Sequence, residues 1–179
     1  AAGDAGGALG AALAVWHEHL KSPRTPVPGD SMNGCFLGPS FEAEAIEAFL
    51  RHRKIPFQHL DDDQLFERVT DDLVGEKVVG WFQGRMEYGP RALGSRSIIG
   101  DPRSVKMQSI MNLKIKFRES FRPFAPSVLR ERVADYFEMD TDSPYMLLVG
   151  NVRPDRRIAL KEEQKGLWGI DLLNVPKSD

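Results

Sequence analysis

KVVGWFQGRMEYGPRALGSRSIIGD, residues 77–101, sets two apolar runs around a loop of unusual make-up. KVVGWFQG (77–84) predicts a short, strongly apolar strand, and RSIIGD (96–101) predicts a second. Between them, residues 84–97 carry three arginines, three glycines and a proline in fourteen positions. Arginine is costly to bury, while glycine and proline fix special backbone geometry. Together they suggest a shaped loop that holds an anion. Gly89 and Gly94 allow close backbone approach, and Pro90 stiffens the turn. Arg85, Arg91 and Arg96 each offer a planar donor fork suited to phosphate. The plain alternative is a surface loop whose arginines pair with Glu87, Asp101 and backbone carbonyls.

Working outward, the N-terminal side reads as helices. Residues 1–20 form a glycine-rich turn into a helix that is apolar nearly all round, which suits burial in a larger body. SPRTPVPGDSMNGCFLGPS (22–40), with four prolines and three glycines, reads as a linker or extended arm. Ser40 is placed to cap a helix carrying Phe41, Ile46, Phe49 and Leu50. A second helix follows Asp61-Asp62-Asp63, with Leu65, Phe66, Val69, Leu73 and Val74 on its apolar face and Gly75 as its stop. On the C-terminal side, Asp101-Pro102 predicts a helix to about Leu113. FAPSVL (124–129) then predicts a strand, RERVADYF (130–137) a helix and YMLLVG (145–150) a strand. Strands alternating with helices indicate the α/β class.

A second cationic segment, NLKIKFRESFRPF (112–124), alternates Lys114 and Lys116 with Leu113, Ile115 and Phe117. If extended, it places both lysines on one face. Arg118 and Arg122 follow, with Phe121, Pro123 and Phe124 behind them. Such cations crowd unfavourably unless an anion sits among them. A solvated basic face and an RNA surface are the alternatives, and the absence of an exposed aromatic stacking motif weakens the latter. We expect this segment and the loop 84–97 to converge on one concave surface. Asp4, in AAGDAGGALGAAL, is a helix N-cap, a phosphate-loop element or a metal ligand. His17 and His19 face apart on a helix, and no Ser-His-Asp, P-loop or zinc spacing is present.

Composition narrows the class. Hydrophobic residues at 41% and charged residues at 28% are ordinary for a globular chain. The net charge of −2 argues against a general polyanion binder. From Arg85 to Arg132, however, eleven Lys and Arg stand against four Asp and Glu, which suits a small anionic ligand. The single Cys35 excludes an internal disulfide, no apolar run is long enough to span a membrane, and the opening lacks a basic signal-peptide region. A cytoplasmic protein is expected. The first residue is not methionine and the last stretch reads as an unfinished loop, so the chain is expected to be a fragment of a longer protein.

At this point the motifs meet a known pattern. KVVGWFQGRMEYGPRALGSRSIIGDPR, NLKIKFRESFRPFAPSVL and SPYMLLVGNV closely resemble the C-terminal region of the NodU/CmcH-type O-carbamoyltransferases, which include nodulation and antibiotic-tailoring enzymes. The opening AAGDAGGALGAALAVW resembles the end of that family's Kae1-like domain. The resemblance implies a mixed α/β chain in three parts: residues 1–21 ending an actin/Hsp70-like (Kae1-like) domain, a linker at 22–39, and a YrdC-like domain with a twisted sheet at 40–179. It implies that the YrdC-like domain forms carbamoyl-adenylate from carbamoyl phosphate and ATP, with Mg expected. The Kae1-like domain, holding iron or another divalent metal, would then pass the carbamoyl group to a hydroxyl of a sugar, lipo-oligosaccharide or antibiotic. Leu113-Lys114-Ile115-Lys116 also resembles the L-K-x-[KR] phosphate segment of threonylcarbamoyl-adenylate synthases, with slightly longer spacing before Arg122. The expected site places Lys114, Arg118 and Arg85 in catalysis. Arg91, Ser95, Arg96, Lys116, Arg122, Gly89 and Gly94 are expected to bind nucleotide and carbamoyl phosphate, and Asp4 to bind metal. The family's metal-binding histidines are absent here, which leaves a noncatalytic fragment as one reading and an RNA-binding module as another. No membrane or nucleic-acid partner is expected for the enzyme.

Overall fold

The computed structural model describes residues 4–173 and 175. Helices and two small sheets give a mixed α/β chain. It divides into two compact units, each made of separated stretches: 1–70, 80–99 and 143–147 in the first, 71–79, 100–142 and 148–179 in the second.

The first unit opens with helix α1 (Asp4–Ala14), which continues into a π-helical turn at Val15–His19. Its apolar side chains, expected to be buried in a larger body, stand open in this chain, Leu13 at 47% and Val15 at 53% exposure. An extended arm follows to a tight turn at Asn33–Cys35, where Cys35 is fully buried. Helix α2 spans Ala43–His52, with Ile46 and Leu50 half-buried at helical spacing. Its N-cap is Glu42 in extended backbone rather than the expected Ser40, and no side chain caps it. Helix α3 (Asp62–Val74) starts at a reciprocal cap. The Gln64 amide donates to Asp61 Oδ1 at 2.9 Å, and the Asp61 amide donates to Gln64 Oε1 at 3.3 Å. At its far end the helix stops before Gly75, which donates to Asp71 O at 2.8 Å, and the next residue, Glu76, takes the left-handed conformation, φ 58°.

Both expected strands form, β1 (Val79–Phe82) and β2 (Arg96–Ile99), and they pair on either side of the arginine loop. In β1, Val79 and Trp81 are half-buried while Gly80 and Phe82 are exposed, the period of two that a pleated strand imposes. The segment 35–39 runs beside the loop. Gly38 donates to Met86 O at 2.9 Å, Met86 to Pro39 O at 3.0 Å and Tyr88 to Cys35 O. A Cβ on Gly38 would lie 2.7 Å from Met86 Cβ, so only glycine permits this approach.

In the second unit the helix expected from Asp101 starts late. Asp101 instead grips Arg103, and helix α4 covers only Met107–Ile110 before a π-helical turn at Met111–Ile115. Met107 and Met111 are buried against Gly100, where an added Cβ would sit 2.6 Å from Met107 Cγ. Lys114 therefore sits in a helical turn and Lys116 caps it, so the extended alternation expected for 113–117 is not formed. FAPSVL is not a strand, because prolines at 123 and 126 remove ladder donors. RERVADYF becomes a 3-10 turn at Arg130–Asp135. YMLLVG is also not a strand. Pairing occurs just beyond it, where β3 (Phe137–Glu138) meets β4 (Asn151–Val152) antiparallel, Phe137 opposite Val152. Helix α5 covers Gly169–Leu173.

Candidate functional site

The loop between β1 and β2 is closed from inside at two levels. Across its middle, Glu87 Oε1 accepts the amides of Leu93 at 3.0 Å and Ser95 at 2.6 Å. Burial pushes the Glu87 carboxyl up, but the Ser95, Leu93 and neighbouring backbone donors outweigh it and hold the group below its usual range. At the base, the Arg96 guanidinium donates to Gln83 O at 2.8 Å, Ser95 O at 2.7 Å and Gly84 O at 3.0 Å. Its Cζ lies 3.4 Å from the centroid of the Phe82 ring. Arg96 Nε is buried with no hydrogen-bond partner. Gly84, Gly89 and Gly94 all have positive φ (57°, 106° and 121°), which lets the chain double back within a few residues.

These closures sort the expected residues. Arg96 is engaged with the loop's own carbonyls, and Ser95 is buried at 5% exposure. Arg85 is exposed and donates through Nε to Phe36 O at 3.1 Å. Arg91 is exposed and its side chain makes no hydrogen bond or ion pair among the described residues. On the neighbouring arm, Asp30 Oδ2 accepts from the Gly34 amide and the Tyr145 hydroxyl, and Oδ1 from the Met32 amide. The Asp30 hydrogen bond pushes the Tyr145 phenol up to about 12.

The second cationic segment is organised by two amides that lie one turn apart. Asn112 is fully buried. Its Nδ2 donates to Ser120 O and Arg122 O, both at 2.9 Å, and its Oδ1 accepts Arg118 Nε at 2.6 Å. Gln108 Nε2 donates to Phe121 O at 3.1 Å and Arg122 O at 3.0 Å. The backbone turns back at Phe117, φ 50°. Arg118 lies with Cζ 4.8 Å from the Phe124 ring centroid, and its terminal nitrogens have no hydrogen-bond partner among the described residues. Arg122 pairs with Glu119 at 2.9 Å. The Glu119 carboxyl is held low by its own backbone donor and then by Arg122. Lys114 and Lys116 are exposed and their side chains are unpaired among the described residues.

The arrangement thus presents exposed cations on tightly tied backbone, which suits phosphate recognition with little ordering left to do. Lys114, Lys116, Arg118 and Arg122 share one segment of the second unit, while Arg85, Arg91, Ser95 and Arg96 share the loop of the first. Sequence reasoning missed Gln108 and Asn112. The signal was present as two neighbouring pairs at helical spacing, Met107 with Met111 and Gln108 with Asn112, the second polar pair flanking a buried apolar one. Asp4 begins α1, and its side chain lies outside what the structure describes. Among the described residues no three His, Cys, Asp or Glu side chains gather as a metal set. No helix among them is long and apolar enough to cross a membrane.

Comparison with known proteins adds an independent line. The Carbamoyltransferase C-terminus family matches residues 70–164, which include both cationic segments. An uncharacterised protein of Synechocystis sp. is 58% identical over 180 residues, 99% of this chain and 29% of that protein. Nodulation protein NolO of Bradyrhizobium diazoefficiens is 39% identical over 159 residues, covering 86% of this chain and 28% of its own length. Nodulation protein U of Rhizobium fredii is 37% identical over 144 residues, 80% of this chain and 22% of that protein. The chain spans less than a third of each of these relatives.

Proposed function

Since the chain belongs to the Carbamoyltransferase C-terminus family, we propose that it is the part of an O-carbamoyltransferase that builds carbamoyl-adenylate from carbamoyl phosphate and ATP. In balanced form the reaction consumes one water and releases one phosphate and one pyrophosphate. The carbamate oxygen bonds to the α-phosphorus as the bond to pyrophosphate breaks. Negative charge passes between phosphoryl groups throughout, so positioned cations supply the main stabilisation and no nucleophilic side chain is required.

The observation that carries this reading is Arg118, held through Nε and lying over the Phe124 ring, with its terminal fork unpaired among the described residues. A guanidinium ordered before its ligand arrives loses little entropy on binding. Lys114 and Lys116, exposed on the adjoining turn, add mobile positive charge. Arg91 is the counterpart in the loop, since Arg96 serves to keep that loop closed. Transfer onward to a hydroxyl of a sugar, lipo-oligosaccharide or antibiotic, and the metal that assists it, belong in this reading to the Kae1-like domain.

The test is carbamoyl-phosphate-dependent release of pyrophosphate from ATP by the full-length protein. Arg118→Ala and Lys114→Ala should each lower it by about 2–4 kcal/mol of transition-state stabilisation, the scale of one preorganised donor. Near-normal release in both variants defeats the assignment. Salt-sensitive binding of structured RNA, with no ATP or carbamoyl phosphate binding, would favour an RNA module instead.

A further inference from the structure

We propose that Asn112 is a positioning residue for that reaction: its buried amide aims the Arg118 fork by holding Nε and the loop that carries it. This rests on the reading just given. An Asn amide offers two donors and an acceptor, and here all three are used in one direction. Both N–H groups reach carbonyls of the returning loop, at Ser120 and Arg122, while the oxygen takes Arg118 Nε. The backbone repeats the tie, with the Arg118 amide donating to Asn112 O at 3.0 Å. The guanidinium carbon lies over the Phe124 ring, 4.8 Å from its centroid. Of the nitrogens of Arg118, Nε is thereby consumed and the two terminal ones, unpaired among the described residues, are left for a ligand, in the geometry that grips two phosphate oxygens at once. Gln108 shares the Arg122 carbonyl, so the loop keeps one clasp if Asn112 is lost. A purely structural role would not require the amide oxygen to face Arg118, because any buried donor pair would hold the two carbonyls.

The experiment uses the full-length protein, selectively 15N-labelled at arginine, in wild-type form and as Asn112→Ala, Asn112→Asp, Arg118→Ala and the Asn112→Ala/Arg118→Ala double variant. Two quantities are read: exchange protection of the Arg118 Nε–H, assigned by its loss in Arg118→Ala, and pyrophosphate release per folded molecule. We expect a protected Nε–H in the wild type, lost in Asn112→Ala and regained in Asn112→Asp, which keeps an acceptor. We also expect at least a tenfold fall in turnover for Asn112→Ala. The double variant should be no slower than Arg118→Ala alone, because Asn112 acts through Arg118. An Nε–H that stays protected without Asn112 overturns the proposal, as does a double variant whose losses multiply. Should Asn112→Ala fail to fold, the wild-type Nε–H decides, and an unprotected signal there overturns the proposal by itself. A wild type with a protected Nε–H but no carbamoyl-phosphate-dependent pyrophosphate release would instead defeat the parent reading, leaving Asn112 as the anchor of Arg118.

Discussion

Single side chains divide the arginine loop into those tied into its own backbone and those that stand open. Residue types suggested the anion reading, since guanidinium forks, glycines and a proline suit that chemistry. What each arginine touches was not legible, because it depends on which carbonyls the folded loop turns inward. Arg96 meets three of them, and Glu87 caps backbone amides rather than pairing with an arginine. That use of Glu87 has a pH signature. Its carboxyl titrates below the ordinary 4.5, so its contribution is complete above pH 4.5 and is lost as pH falls through the lowered folded value. The Leu93 and Ser95 amides should therefore lose exchange protection on acidification, after correction for intrinsic rates. Glu87→Gln should abolish this pH step, and a step that survives in the variant would assign the acid opening to another group.

At the level of elements, helices with a clear apolar face were legible and short strands much less so. Leu65, Val69 and Leu73 set the face of α3, and its start was marked by the acidic run. YMLLVG carries strand-like residues, yet Val149 is 97% exposed and pairing begins only at Asn151. Apolar run length alone does not say where a partner strand lies. The lysine alternation at 114–116 misled for a related reason: a π-helical turn inserts an extra residue per turn and breaks both simple periods. The Asp61–Gln64 cap gives this scale its prediction. Asp61→Ala should destabilise by about 1 kcal/mol, read as a lower urea midpoint with unchanged slope. An unchanged midpoint would mean that α3 is held by its packing alone.

For the whole molecule, the balance of burial is the prominent fact. Among the described residues the buried apolar side chains are Cys35, Met107 and Met111, while Leu13 is 47%, Trp16 54% and Trp168 84% exposed. So much open apolar surface usually marks contact with further protein. Isolated residues 1–179 should accordingly enhance the fluorescence of a hydrophobic dye while folded, and the full-length protein should do so less per molecule; equal enhancement would show that these side chains stay open in both. The same chain is also threaded in an unusual order. Residues 143–147 complete a unit whose other parts end at residue 99, and they bring the Tyr145 hydroxyl to Asp30. On a ribosome working at roughly 5–20 residues per second, the stretch 100–142 must emerge in between, a delay on the order of seconds. During synthesis, then, the arginine loop is made early but its unit is finished late. A nascent chain stalled after residue 142 holds every loop arginine, yet Asp30 still awaits its phenol partner.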